Sequence, residues 1–191
     1  MMCNSKLKVK AGWWFITLAW IVTGGQLMAY ESIYQPTPPG TLELKQLPAV
    51  TALCAQVQSD YFPEANQLFR RLFDFIRARD IPMSVPVEAD MNPGTMRFFL
   101  GTGFKGGPIS PSPNVQVVGL PARTVLSVGL RGSYTPATFR KGMKAIEDGQ
   151  KNFPQWRRAG TPYAVYWNGP FLPGFLKRSE VHWPVVPAAA Q

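Results

Sequence analysis

The chain has 191 residues and a net charge of +9, with 13% aromatic residues, 19 prolines and 17 glycines. That length allows one domain with a real core plus a short extra segment, and the Pro/Gly content favours short strands and turns over a helical bundle. The basic charges are scattered, with no long Lys/Arg run, which argues against nucleic-acid binding; two cysteines exclude a disulfide framework and a paired-Cys zinc site.

Residues 1–10 carry Lys6, Lys8 and Lys10, and residues 12–22 read GWWFITLAWIV, followed by TGGQLMA with small residues at 23–25 and 29. A basic start, a short apolar centre and small residues after it make residues 1–29 a predicted signal peptide or membrane anchor. Retained, the stretch 11–29 would associate with a membrane, with its amino end in the cytoplasm. Either way the domain is expected on the far side: exported, periplasmic or otherwise extracytoplasmic. Residues 30–40, YESIYQPTPPG, read as a Pro-rich spacer.

The domain proper, predicted over 41–187, begins twice. Residues 42–57, LELKQLPAVTALCAQV, and 115–130, VQVVGLPARTVLSVGL, align without gaps at an offset of 73 and share Leu-Pro-Ala-x-Thr-x-Leu. Each reads as strand, proline-marked turn, strand. The first copy leads into PEANQLFRRLFDFIRARD, where Leu68, Phe69, Leu72, Phe73 and Ile76 recur at spacings of three and four on one helical face. Arg70, Arg71, Asp74, Arg77 and Arg79 fill much of the opposite arc. Pro82 and Pro86 stop the helix by Asp80 and leave 83–85 extended.

A second helix is signalled after the second copy by Thr135 as N-cap and Pro136 at the first position, with Phe139, Met143 and Ile146 as its stripe. Extended segments follow each helix: 83–87 and 95–101 in the first half, 163–167 and 180–185 in the second. The unit is therefore ββαββ, present twice. It predicts an α+β domain in which the pseudo-symmetric halves form one curved antiparallel sheet or partial barrel with two packed helices. Residues 101–114 link the halves, and 188–191 form a tail.

Catalytic signals are sparse, and the expectation is a protein that is not an enzyme. The single histidine, His182, lies in SEVHWPV, where alternation sets Glu180 and His182 opposite Val181, Trp183 and Val185. A strand histidine facing solvent or filling a polar gap is the favoured reading. Glu180 is either solvent-facing or placed for a purpose. Cys54 reads as a small buried apolar residue. Between the last two strands, Phe171, Leu172, Phe175 and Leu176 sit among glycines and prolines. They either fold back on the core or form a strap closing an apolar cleft.

The order of the first helix, MSVPV at 83–87, a duplicated half and NGPFLPGFLKRSEV at 168–181 resembles the SOUL haem-binding family, the haem-binding protein 1/2 group, which is related to GyrI-like ligand-binding domains. The resemblance implies haem or another tetrapyrrole as ligand, held in an apolar groove beside the first helix. By the same resemblance, Leu68, Phe69, Leu72, Phe73 and Ile76 would form the wall, Met83 the floor, and Phe171 and Phe175 the rim. Arg71 would meet a propionate. No histidine precedes residue 182, so axial ligation would fall to Met83 or Cys54, and burial would drive a weakly or non-axially ligated association. Two alternatives are a GyrI-like binder of another apolar or cationic small molecule, with Glu180 facing a cation, and a structural or interaction domain with a filled core.

Overall fold

A computed structural model describes residues 30–169 and 171–188. The expected leader, 1–29, and the end of the expected tail, 189–191, lie outside the described residues.

The strands are β1 (Glu31–Ser32), β2 (Leu42–Leu47), β3 (Val50–Gln56), β4 (Ser84–Val85), β5 (Val87–Asp90), β6 (Thr95–Phe99), β7 (Gln116–Leu120), β8 (Arg123–Arg131), β9 (Trp156–Arg158), β10 (Tyr163–Tyr166) and β11 (Arg178–Pro187). Two helices, α1 (Tyr61–Arg77) and α2 (Pro136–Gly149), complete the fold. The principal sheet runs β2-β8-β11-β10-β5-β6-β3-β7, with β9 attached to β11. All its pairings are antiparallel. This is the curled, pseudo-symmetric α+β half-barrel that the duplication predicted.

The Leu-Pro-Ala repeats explain the curl. Neither forms a hairpin. Instead the two bent strands pair with each other: Leu47 faces Arg123 and Val50 faces Leu120, one register running on both sides of the corner. A proline supplies no ladder N–H, so the corner is where pairing can break and the strand can turn. Sequence neighbours β2 and β3 thereby reach opposite ends of the sheet order, which requires the sheet to curl. The pseudo-twofold passes through the two corners, and β5 pairs with β10 at the middle.

α1 starts at Tyr61, whose N–H is taken by the Met91 carbonyl at 2.9 Å. It turns out of helix after Arg77, and Ile81 N–H closes back on Ile76 O at 3.0 Å. Leu68, Leu72 and Ile76 are buried against the sheet, each contributing roughly 1.5–3 kcal/mol. α2 opens at the expected cap: Thr135 Oγ1 accepts from Thr138 N–H at 3.2 Å, with Pro136 at the first position. No helix among the described residues is long and apolar enough to cross a membrane.

The stretch read as a spacer, residues 30–40, is built into the fold. β1 pairs parallel with β4. Further on, Tyr34 and Thr37 cover the face of the sheet opposite the helices. The segment lies so close to β8 that a Cβ on Gly129 would sit 2.2 Å from Pro38 O and 2.4 Å from Thr37 O.

Candidate functional site

A groove runs between α1, the middle of the sheet and the 168–177 connection. It has two lobes that share Phe69, Val87, Tyr166 and Asn168. One, about 350 Å³, adds Phe62, Ala65 and Asn66 of α1, Met96 of β6, Tyr134 and Lys177. The other, about 260 Å³, adds Phe73, Met83, Val85, Trp167, Phe171 and Tyr30. Together they fall in the size range of small-molecule sites, roughly 300–1,000 Å³.

The α1 side of the groove follows from helical spacing. Residues 62, 66, 69 and 73 recur at four, three and four, one stripe along the cylinder. Leu68, Leu72 and Ile76 form the neighbouring stripe, which is the core. The single apolar face expected of α1 is therefore two faces. Phe69 and Phe73 line the groove, their rings stacked at 5.7 Å and 16°. Leu68, Leu72 and Ile76 do not reach it.

Met83 borders the second lobe and Phe171, almost fully exposed, stands at its rim. Phe175 is exposed on the same loop but lines neither lobe. Arg71 is a correction: its guanidinium reaches Gln56 O at 3.4 Å, beside Cys54, on the far side of the helix. Two residues at 100° each place it about 200° from Phe69. Lys177 lines the groove, 5.0 Å from the Tyr134 ring centroid; Arg77 lines neither lobe but lies 5.9 Å from the ring centroid of Phe73, which does. Cys54 is half-buried away from the groove, and burial pushes its thiol pKa up. Met83 and Met96 are the sulfur donors that border the groove.

Tyr134 and Tyr166 were not foreseen. Their rings lie 4.2 Å apart, and Tyr61 stacks on Tyr166 at 6.0 Å. Tyr134 pins the ends of the strap: its hydroxyl donates to Arg178 O at 2.9 Å and accepts from Asn168 N–H at 3.0 Å. Asn168 Oδ1 accepts from Arg178 N–H at 2.6 Å. Burial pushes the Tyr134 phenol up to about 12 and raises Tyr166 further, so both rings are neutral at physiological pH. The result is a wall of uncharged aromatic surface with a basic edge, suited to a flat apolar ligand bearing anionic groups.

Behind the sheet lies a separate polar cluster. Glu180 is buried, and its Oε2 accepts from His182 Nε2 at 2.6 Å, Ser127 Oγ at 2.8 Å and Lys45 Nζ at 3.0 Å. Its Oε1 accepts from Thr37 N–H at 2.8 Å and Trp167 Nε1 at 2.6 Å. Burial opposes ionisation of Glu180, but the His182 hydrogen bond and the Lys45 charge outweigh it and hold the carboxyl at about 2. His182 is shifted the other way. Burial lowers its pKa below the usual imidazole range despite Glu180, and neutral His182 donates Nε2–H to the carboxylate. The histidine thus fills a polar gap, and Nδ1 meets the Tyr163 hydroxyl at 3.3 Å. Glu88 pairs with Arg123 on the same face. The cation facing Glu180 is Lys45, so the carboxylate is not offered to a ligand in the groove.

A curled antiparallel half-barrel with an aromatic groove beside its first helix defines a small-ligand-binding α+β domain. A family model for SOUL heme-binding proteins matches residues 27–184, and the chain belongs to that family. No curated protein sequence matches. The EcmrR C-terminal domain is 15% identical with a TM-score of 0.58, over 78% of this chain and 98% of that one. EcmrR in a DNA complex is 14% identical with a TM-score of 0.59, over 78% of this chain but only 58% of that longer one. A hydrolase from Listeria innocua is 12% identical with a TM-score of 0.51, over 82% and 100%. At these identities the likeness is one of fold.

Proposed function

We propose that this protein binds haem or a related tetrapyrrole reversibly in the α1 groove and carries out no reaction on it. The observation that supports this most is the two-lobed groove, walled by Phe69, Phe73, Tyr134 and Tyr166 and edged by Lys177 and Arg77. A flat macrocycle would bury its faces against the rings and leave its carboxylates at the cations. Iron would meet the thioethers of Met83 or Met96, and no imidazole, because His182 lies behind the sheet. Weak axial ligation with binding driven by burial is the corresponding expectation.

Haemin titrated into the purified protein should give a saturable Soret shift that Phe69→Asp abolishes. A shift that never saturates, or one of equal size in the variant, would overturn the reading. Lys6, Lys8, Lys10 and the apolar run 12–22 support, in addition, a domain that lies across a membrane from the cytoplasm. Protease added to intact cells or spheroplasts should then digest the domain, and full protection would count against export.

A further inference from the structure

The exposed large apolar side chains among the described residues are Tyr30, Phe73, Phe171, Phe175 and Leu176, and they gather at one place. Tyr30, Phe73 and Phe171 border the same lobe of the groove. Phe175 and Leu176 lie on the strap between Phe171 and Lys177, both of which line the groove. Phe171 is 98% exposed and Phe175 72%. Isolated exposed aromatics need no explanation, whereas a contiguous set on one rim marks a surface that something covers.

Two further observations say what covers it. The rim is basic: Arg77 lies over the Phe73 ring, and Lys177 lies beside the strap. Aromatic and aliphatic side chains ringed by cations on long stems suit the boundary between anionic headgroups and acyl chains. In addition, the chain outside the structure joins at this rim. Residues 12–22 are apolar, and only the seven residues 23–29 separate them from Tyr30. Seven residues span at most about 25 Å. A bilayer that holds residues 12–22 therefore lies within that distance of the exposed aromatics.

We infer that the groove mouth, formed by Tyr30, Phe73 and the strap 171–176, docks on an anionic lipid bilayer, with Arg77 and Lys177 at the headgroups. The docking does not depend on the ligand. If the groove also holds a tetrapyrrole, its open side faces the membrane, and an apolar ligand exchanges with lipid rather than with water.

The test uses the full chain with Cys3→Ser and Cys54→Ser, so that one introduced cysteine carries an environment-sensitive fluorophore. Phe171→Cys and Phe175→Cys report on the rim. Lys151→Cys reports on the turn just past the end of α2, a helix about 20 Å long that begins beside Tyr134. Vesicles of phosphatidylcholine with about one third phosphatidylglycerol, which supply the negative surface, contain a lipid-borne quencher at acyl depth. Sedimentation measures binding independently. Expected are a blue shift and severalfold quenching at 171 and 175, none at 151, and a loss of rim quenching with Lys177→Glu or on pure phosphatidylcholine. Sedimentation with vesicles while 171 and 175 remain in water would mean that the leader alone tethers the chain. That result overturns the inference, as does a failure to bind vesicles at all.

Discussion

Phe69 and Leu72 sit three residues apart on α1 and should answer to different measurements. Phe69 borders both lobes of the groove, while Leu72 has no exposed surface and packs on the sheet. Phe69→Ala removes a ring face of about 50 Å², and the ligand loses a similar area of contact. At about 25 cal/mol per Å² the loss is about 2.5 kcal/mol, or roughly 60-fold in Kd. The cost in stability is smaller than for a core phenylalanine, about 1–2 kcal/mol, because the residue is only half-buried. Leu72→Ala reverses the pattern, costing about 2–5 kcal/mol of stability with little change in the Kd of the folded protein. Haemin titration followed at the Soret band and guanidinium unfolding of the ligand-free protein measure the two quantities. Equal loss of affinity in both variants, or none in Phe69→Ala, would refute the division of α1 into a groove stripe and a core stripe.

Charge at the rim should matter where the groove lies and not elsewhere on α1. Lys177→Glu should weaken haemin binding about threefold to tenfold, in keeping with about 1 kcal/mol for a partly exposed cation, and Arg71→Glu should leave it unchanged in the same titration. The Glu180 carboxyl is held near 2 when folded against about 4.3 unfolded. Its stabilisation is complete above the unfolded value and fades as pH falls through the folded one. His182 works in the same direction at higher pH: its folded pKa lies below the usual 6.5, so protonation of the unfolded chain erodes stability as pH falls below that value. Glu180→Gln should flatten the acid limb of a urea-unfolding series between about pH 4.5 and 2. Gly129→Ala would drive a Cβ into the backbone of residues 37–38. It should cost more than about 2 kcal/mol and expose residues 30–40 to limited proteolysis.

What could be read from the sequence was what repeats or has a period. The doubled Leu-Pro-Ala strand pair carried the pseudo-symmetry, and the Thr135–Pro136 pair fixed the start of α2, because both signals are local. Residues 30–40 looked like a spacer because their burial depends on partners far along the chain. Thr37 is buried by Glu180 and Ser127, and Tyr34 packs edge-on against Trp167 at 5.6 Å. Composition alone gives no hint of this. Arg71 lies away from the groove for a simpler reason. The arc opposite an apolar face carries several arginines along α1, and only the second wall of the groove, supplied by Tyr134 and the strap, selects which cations border the site. Tyr134 itself precedes a helix cap, where an aromatic residue carries no periodic signal.

The two polar and apolar sites on opposite sides of the sheet are joined at one residue. Trp167 lines the second lobe of the groove and donates its indole N–H to Glu180 at 2.6 Å. An indole has one donor and a rigid ring, and this ring packs with Tyr34 on the polar side of the sheet, so anchoring its donor on a buried carboxylate fixes residue 167 at the place where the chain passes into the groove. The carboxylate is itself fixed by Lys45, Ser127, Thr37 and His182. Glu180→Gln should therefore do more than weaken the fold at neutral pH. It replaces one acceptor oxygen with a donor NH₂, which faces either the indole N–H or the Lys45 ammonium. Lys45 loses its counter-charge in either orientation, and the amide nitrogen leaves either the indole N–H or the ammonium without an acceptor. Haemin affinity measured on fully folded protein should fall with Glu180→Gln and recover with Glu180→Asp only if the shorter carboxylate still reaches the indole. Unchanged affinity in Glu180→Gln would show that residue 167 is held by packing on Tyr34 alone.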